Sequence, residues 1–124
     1  MKTRSFGNAT MYTFENKNGM VMEVTDFGAV LYSLMVPDKD GNLVDVNLGY
    51  ATPEAYAKET SGFGATIGRN GNRIGGAKFT LNGKVYELAP NNNGNNLHSG
   101  LDFYQHRMWT VKETTENSIV FSLH

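Results

Sequence analysis

Apolar residues recur along this chain in short runs, each bounded by glycine, asparagine, aspartate or proline, and the spacing inside the runs is that of strands. Residues 11–15 read as a short strand. Asn18-Gly19 is a strong hairpin signal, and residues 20–25 then alternate so that Val21, Glu23 and Thr25 share one face. Residues 29–36 form an apolar run rich in branched and aromatic side chains, closed by Pro37. Asp38-Lys39-Asp40-Gly41-Asn42 predicts a turn, with a strand returning over 43–48. A second hairpin is predicted over 78–81 and 84–88 around Asn82-Gly83, and a third over 109–112 and 119–123 around Glu116-Asn117. The one helix signal runs from Thr52 to Glu59, with Thr52 as cap and Pro53 in the first turn. Short strands joined by tight turns predict an all-β fold, an antiparallel β-sandwich. The last strand reaches His124 without a closing turn, which suits an ordinary terminus and a cut through a larger sheet equally.

Length and charge narrow the function. A chain of 124 residues supports one domain with one modest core. A formal net charge of −1 argues against nucleic acid, which calls for a basic stripe, and against a polybasic membrane contact. The absence of cysteine removes disulfides, thiolate chemistry and thiolate zinc sites. The first ten residues hold no apolar leader core and no run approaches bilayer length, so a cytoplasmic protein is expected. Without a leader, the sequon at Asn8-Ala9-Thr10 has no bearing.

Several motifs fail on inspection. Gly62-Phe63-Gly64 starts like a dinucleotide fingerprint but lacks the third glycine and the strand-to-helix context. Asp38-Lys39-Asp40-Gly41 has its glycine too early for a calcium loop. His98 and His106 are too far apart for a local metal pair, with Asp102 as the sole carboxylate between them. No metal site is expected.

Two stretches carry candidate chemistry. Gly68-Arg69-Asn70-Gly71-Asn72-Arg73-Ile74-Gly75-Gly76 sets two arginines among glycines, and guanidinium forks with an asparagine amide are groups that grip several hydroxyls at once. Ordinary pairing with surface carboxylates is the simpler use for Arg69 and an equal alternative for Arg73. Residues 91–100, NNNGNNLHSG, form a polar loop that presents His98. A histidine there can donate a hydrogen bond or a proton near neutral pH. Bonding to nearby backbone in an ordered loop is the simpler use. Phe103, Tyr104 and Trp109 could stack on a sugar face, although core packing suits Trp109 better.

Taken in order, these elements resemble the galactose mutarotase (aldose 1-epimerase) family. The resemblance runs through Asp26-Phe27-Gly28-Ala29, Val36-Pro37-Asp38-Lys39-Asp40-Gly41 and Asp45-Val46-Asn47-Leu48-Gly49-Tyr50. It continues through Gly68-Arg69 with Asn72-Arg73-Ile74, the hairpin Lys78 to Gly83, Asn96-Leu97-His98-Ser99-Gly100 and finally Trp109. Each motif alone is weak, and their ordered combination is specific.

The resemblance implies a galactose-mutarotase-like supersandwich of which residues 1–124 are a single N-terminal part. It implies interconversion of the α and β anomers of free aldoses such as galactose and glucose, with no cofactor. In the family a glutamate base takes the anomeric hydroxyl proton and a histidine acid protonates the ring oxygen. Both lie beyond the region matched here. The sugar-lining Asn-Arg pair and loop histidine map onto Asn72, Arg73 and His98, with His98 auxiliary near the ring oxygen. Arg73 and His98 are expected to converge, with Asn72 at the rim. A small-molecule aldose is the implied ligand, and self-association through exposed sheet edges is expected of the isolated chain. A non-catalytic carbohydrate-binding relative and an inert fragment are the competing readings. A sugar-phosphate epimerase would call for more basic residues than are present.

Overall fold

The computed structural model describes residues 1–58 and 61–124. Contacts group these into two compact units: Met1–Thr66 with Gln105–His124, and Ile67–Tyr104. The structure is nearly all β, and every strand pair is antiparallel.

The first unit is built on a five-stranded meander of β1 (Lys2–Phe6), β2 (Ala9–Glu15), β3 (Val21–Thr25), β4 (Val30–Pro37) and β5 (Leu43–Asp45), in that spatial order. β1 escapes a sequence reading because four of its five residues are exposed and polar or charged. An edge strand needs only main-chain pairing to its neighbour, so no apolar alternation marks it. The β2–β3 connection also differs from a two-residue Asn-Gly turn. Register pairs Glu15 with Val21, and the Asn16 side chain organises the intervening loop by accepting from the Asn18 and Met20 amides at 2.9 and 3.0 Å.

β5 ends at Asp45, although an apolar strand was expected to run on to Leu48. The Asp45 carboxylate accepts from Ser33 Oγ at 2.7 Å, from the Leu34 amide and from the Asn47 amide, both at 3.0 Å. The bond to a residue two positions on turns the chain out of the ladder. The predicted helix is α1 (Pro53–Lys58), with the Ala55 amide donating to Thr52 Oγ1 at 3.3 Å. Glu59, its predicted end, lies outside the described residues.

The core of this unit gathers Phe6, Met11, Val30 and Tyr56, with Phe27, Tyr32 and Tyr50 packed around them. Edge-on aromatic contacts tie it together: Phe6 to Tyr32 at 5.2 Å and Tyr50 to Tyr56 at 5.2 Å between centroids. Burial pushes the Tyr56 phenol above its ordinary pKa. The Asp26-Phe27-Gly28-Ala29 motif anchors the far end of β3. Asp26 Oδ1 accepts from the Thr10 amide at 2.8 Å, and Gly28 donates to the Arg107 carbonyl at 2.7 Å. Gly28 sits at φ +67°, and a Cβ there would collide with the Gln105 carbonyl, so glycine is required. The hairpin β10 (Thr110–Thr114) and β11 (Ile119–Ser122) belongs to the same unit, where Phe121 meets Tyr12 edge-on at 6.0 Å.

The second unit holds β6 (Arg73–Ile74), β7 (Lys78–Leu81), β8 (Lys84–Glu87) and β9 (Asn96–Leu97). β7 and β8 form the expected hairpin around Asn82-Gly83, both at positive φ. Every residue of β7 and β8 is exposed. No helix among the described residues is long and apolar enough to cross a membrane.

Candidate functional site

The site candidates meet where two short strands end together. β6 pairs with β9 through Arg73–Leu97 and Ile74–Asn96. One residue beyond that ladder, Asn72 and His98 both enter the left-handed region, at φ 58° and 53°. For side-chain-bearing residues this costs on the order of 1–3 kcal/mol each and persists only where surrounding bonds hold it.

Those bonds are present. The His98 amide donates to the Asn72 carbonyl at 2.9 Å, and the Asn72 amide donates to His98 Nδ1 at 2.9 Å. A ring nitrogen that accepts carries no proton, so the neutral imidazole keeps its N–H on Nε2. His98 is therefore bonded to backbone, as the simpler reading held, but to backbone 26 residues away. The bond orients the ring and leaves Nε2–H as a donor.

Asparagine side chains build the rest of the scaffold. Asn91 acts as an extra strand residue: its Nδ2 donates to the Leu97 carbonyl at 3.0 Å and its Oδ1 accepts from the Leu97 amide at 2.7 Å. Asn96, 3% exposed, donates through Nδ2 to the carbonyls of Ala89 and Gly100, both at 2.9 Å. Asn95 Oδ1 accepts from the Gly76 amide at 3.1 Å. Ser99 Oγ accepts from the Asn70 amide at 2.9 Å and donates back to its carbonyl at 3.3 Å. A Cβ on Gly100 would strike both the Asn91 amide and the Phe103 ring. The stretch Asn96-Leu97-His98-Ser99-Gly100 thus reads as a buried clamp, a strand partner, a presented ring, a tether and a space.

Arg73 donates from Nε to Asn92 Oδ1 at 2.8 Å and from Nη1 to Asn72 Oδ1 at 3.1 Å. Pairing with carboxylates was the alternative for both arginines. Neither Arg69 nor Arg73 takes part in the ion pairs Arg4–Glu23 and Lys39–Asp40. Asn72, Arg73 and His98 are joined by direct hydrogen bonds, and Asn72 sits between the other two rather than at their edge. The aromatic candidates divide: Phe103 and Tyr104 lie in this unit and Trp109 in the other. Among the described residues no three metal-ligating side chains cluster.

Asn91, Asn92 and Asn95 were not singled out from sequence, and Asn96 and Ser99 entered only as members of the motif around His98. The signal for the first three was the density of asparagine over 91–96, which loops and binding sites share.

The family model described as aldose 1-epimerase matches residues 10–124. The chain belongs to the aldose 1-epimerase family. It is 34% identical over 113 residues to the aldose 1-epimerase of Escherichia coli, a match covering 91% of this chain and 33% of that protein. It is 35% identical over 117 residues to the galactose mutarotase of Bos taurus, covering 94% and 34%. A solved GalM/aldose epimerase homologue from C. elegans superposes with a TM-score of 0.87 at 34% identity, covering 93% of this chain and 35% of that one. The chain spans about a third of the length of the relatives it matches. The matched span includes the whole asparagine-built scaffold around His98.

Proposed function

We propose that residues 1–124 are the N-terminal part of a galactose-mutarotase-like domain and supply half of an aldose-binding site, with Asn72, Arg73 and His98 as the sugar-facing groups. The observation that carries this reading is the joined triad: Asn72 bonds through its amide to the His98 ring, leaving Nε2–H as a donor, and through its side chain to an Arg73 guanidinium held by neutral amides. Sugars present several hydroxyls and a ring oxygen, which such donors match.

In the proposed reaction a free aldose such as galactose or glucose loses its anomeric hydroxyl proton and the bond from C1 to the ring oxygen breaks. The ring oxygen takes a proton, the aldehyde end rotates, and closure gives the other anomer. His98 Nε2 and Arg73 hydrogen-bond oxygens near the breaking bond. The resemblance puts the histidine acid and the glutamate base in the part of the family's length that this chain does not match. Each proton transfer typically contributes about 10²–10⁴-fold, so the isolated chain should not measurably speed mutarotation.

Self-association accompanies this reading. Leu43, Val44, Val46 and Leu48 are exposed along and after the outermost strand, β5. A bare edge with apolar side chains is a template for pairing. Sedimentation of the isolated chain should show concentration-dependent association.

The test is polarimetry on freshly dissolved α-glucose with two proteins. One is the 124-residue chain. The other is a chimera in which this chain replaces the matching third of the Escherichia coli aldose 1-epimerase. The chain alone should be inactive and the chimera active. Arg73→Ala in the chimera should cost about 1.5–3 kcal/mol of transition-state stabilisation, the range for a hydrogen bond to a charged group. Arg69→Ala should cost less than about 1. An inactive but folded chimera, or equal losses for the two arginines, would defeat the reading.

A further inference from the structure

Arg73 is gripped on its Nε and Nη1 by two oxygens, Asn92 Oδ1 and Asn72 Oδ1, and both belong to neutral amides. A carboxylate in either place would hold the fork equally well and neutralise it. An amide oxygen orients the guanidinium and leaves its unit charge for another partner. Asn72 was already assigned to the sugar, and Asn92 was not.

Asn92 is well placed for such a task. It opens a tight turn in which the Asn92 amide donates to the Asn95 carbonyl at 3.0 Å and the Asn95 amide donates back to the Asn92 carbonyl at 2.9 Å. Asn93 and Gly94 cross the turn at φ 48° and 78°. Asn95 at the turn's far end is tied to the Gly76 amide. The Asn92 oxygen is therefore carried on a short braced loop, while the arginine it holds has a long, rotamer-rich side chain.

We infer that Asn92 is a positioning residue, fixing the Arg73 guanidinium toward the sugar while leaving its charge unneutralised. The inference rests on the functional reading above. Its consequence is kinetic. As the ring opens, negative charge grows on a sugar oxygen, and an unneutralised guanidinium favours that state over the bound ground state.

Two variants separate orientation from charge. In the chimera, Asn92→Asp retains an oxygen for Nε but neutralises Arg73. It should lower kcat about 10- to 100-fold, by analogy with loss of one charge-assisted bond, while KM changes less than about threefold. Asn92→Ala frees the guanidinium and should raise KM as well as lower kcat. An active chimera in which Asn92→Asp matches the unsubstituted protein in kcat overturns the inference while the functional reading stands. If the unsubstituted chimera is inactive, the functional reading falls, and NMR of the 124-residue chain judges the clamp. There the Arg73 Nε–H signal should be slow to exchange, should survive Asn92→Asp and should broaden or exchange rapidly in Asn92→Ala. An unchanged Nε–H signal in Asn92→Ala overturns the clamp.

Discussion

The two units of this chain are held together by different forces. Among the described residues eight apolar side chains are buried, and seven of them (Phe6, Ala9, Met11, Phe14, Val24, Val30 and Tyr56) lie in the first unit. The second has Ala77 alone. What it has instead is a set of asparagine amides bonded to main-chain groups, with Asn96 buried at its centre. Apolar burial is non-directional and tolerates small shifts, whereas hydrogen bonds fix donor and acceptor positions to a few tenths of an ångström. A site meant to recognise hydroxyl groups gains from the second kind of scaffold, because the amides that hold the loops also fix the groups that point outward. The same scaffold leaves the β7–β8 hairpin with Phe79 stacked on Tyr86 at 5.1 Å and both rings exposed.

The contrast is sharpest where a substitution should damage one unit and spare the other. Met11 is fully buried in the apolar core. Met11→Ala should cost about 2–5 kcal/mol from lost transfer energy and the cavity left behind. Urea denaturation followed by circular dichroism should show a lower midpoint. If the midpoint does not move, the first unit is not held by this core.

Asn96→Ala removes the donor shared by two carbonyls and should cost about 1–3 kcal/mol, the range for stranding buried polar groups. The loss should be local. Hydrogen exchange should accelerate at Leu97, His98 and Gly100 while the amides of β2 and β3 keep their protection. Equal acceleration in both units would mean that the polar scaffold and the apolar core melt as one, and the distinction drawn above would fail.

A smaller effect distinguishes the units by pH. Bonding from the Ser33 hydroxyl first, then the Asn47 and Leu34 amides, holds the Asp45 carboxyl below its ordinary pKa. A depressed native pKa means that the unfolded chain binds the proton more readily. The stabilisation is therefore complete above the unfolded value of about 3.9 and is lost as pH falls through the native one. Asp45→Asn should remove this acid sensitivity from the first unit and lower stability at pH 7 by about 1 kcal/mol, the range for a single net hydrogen bond. Denaturation midpoints between pH 7 and pH 2.5 for the two proteins should converge at the acid end. A constant gap across the range would assign the loss to packing.

The legibility of the two units in sequence also differs. β2, β3, β4 and the hairpins announced themselves because apolar alternation and Asn-Gly pairs act over a few residues. β1 did not, since an edge strand borrows its geometry from β2. The end of β5 did not either, since an aspartate reads the same in sequence whether or not it accepts from the Asn47 amide, the bond that turns the chain. In the second unit the motif spacing picked out Asn72, Arg73 and His98 through family resemblance. It did not pick out Asn91 and Asn92, which are indistinguishable in a run of similar residues.

By itself the sequence determined the class of structure, most of the antiparallel strands, the Asn82-Gly83 turn and the family, because each rests on local pattern or on ordered motifs. Only the tertiary structure decided what the polar side chains do. The Asn72 amide reaches His98 Nδ1 across 26 positions and Arg73 Nε reaches Asn92 across 19. A hydrogen bond depends on an atom's position in space and on its angle, and residue type along the chain supplies neither until β6 and β9 have paired.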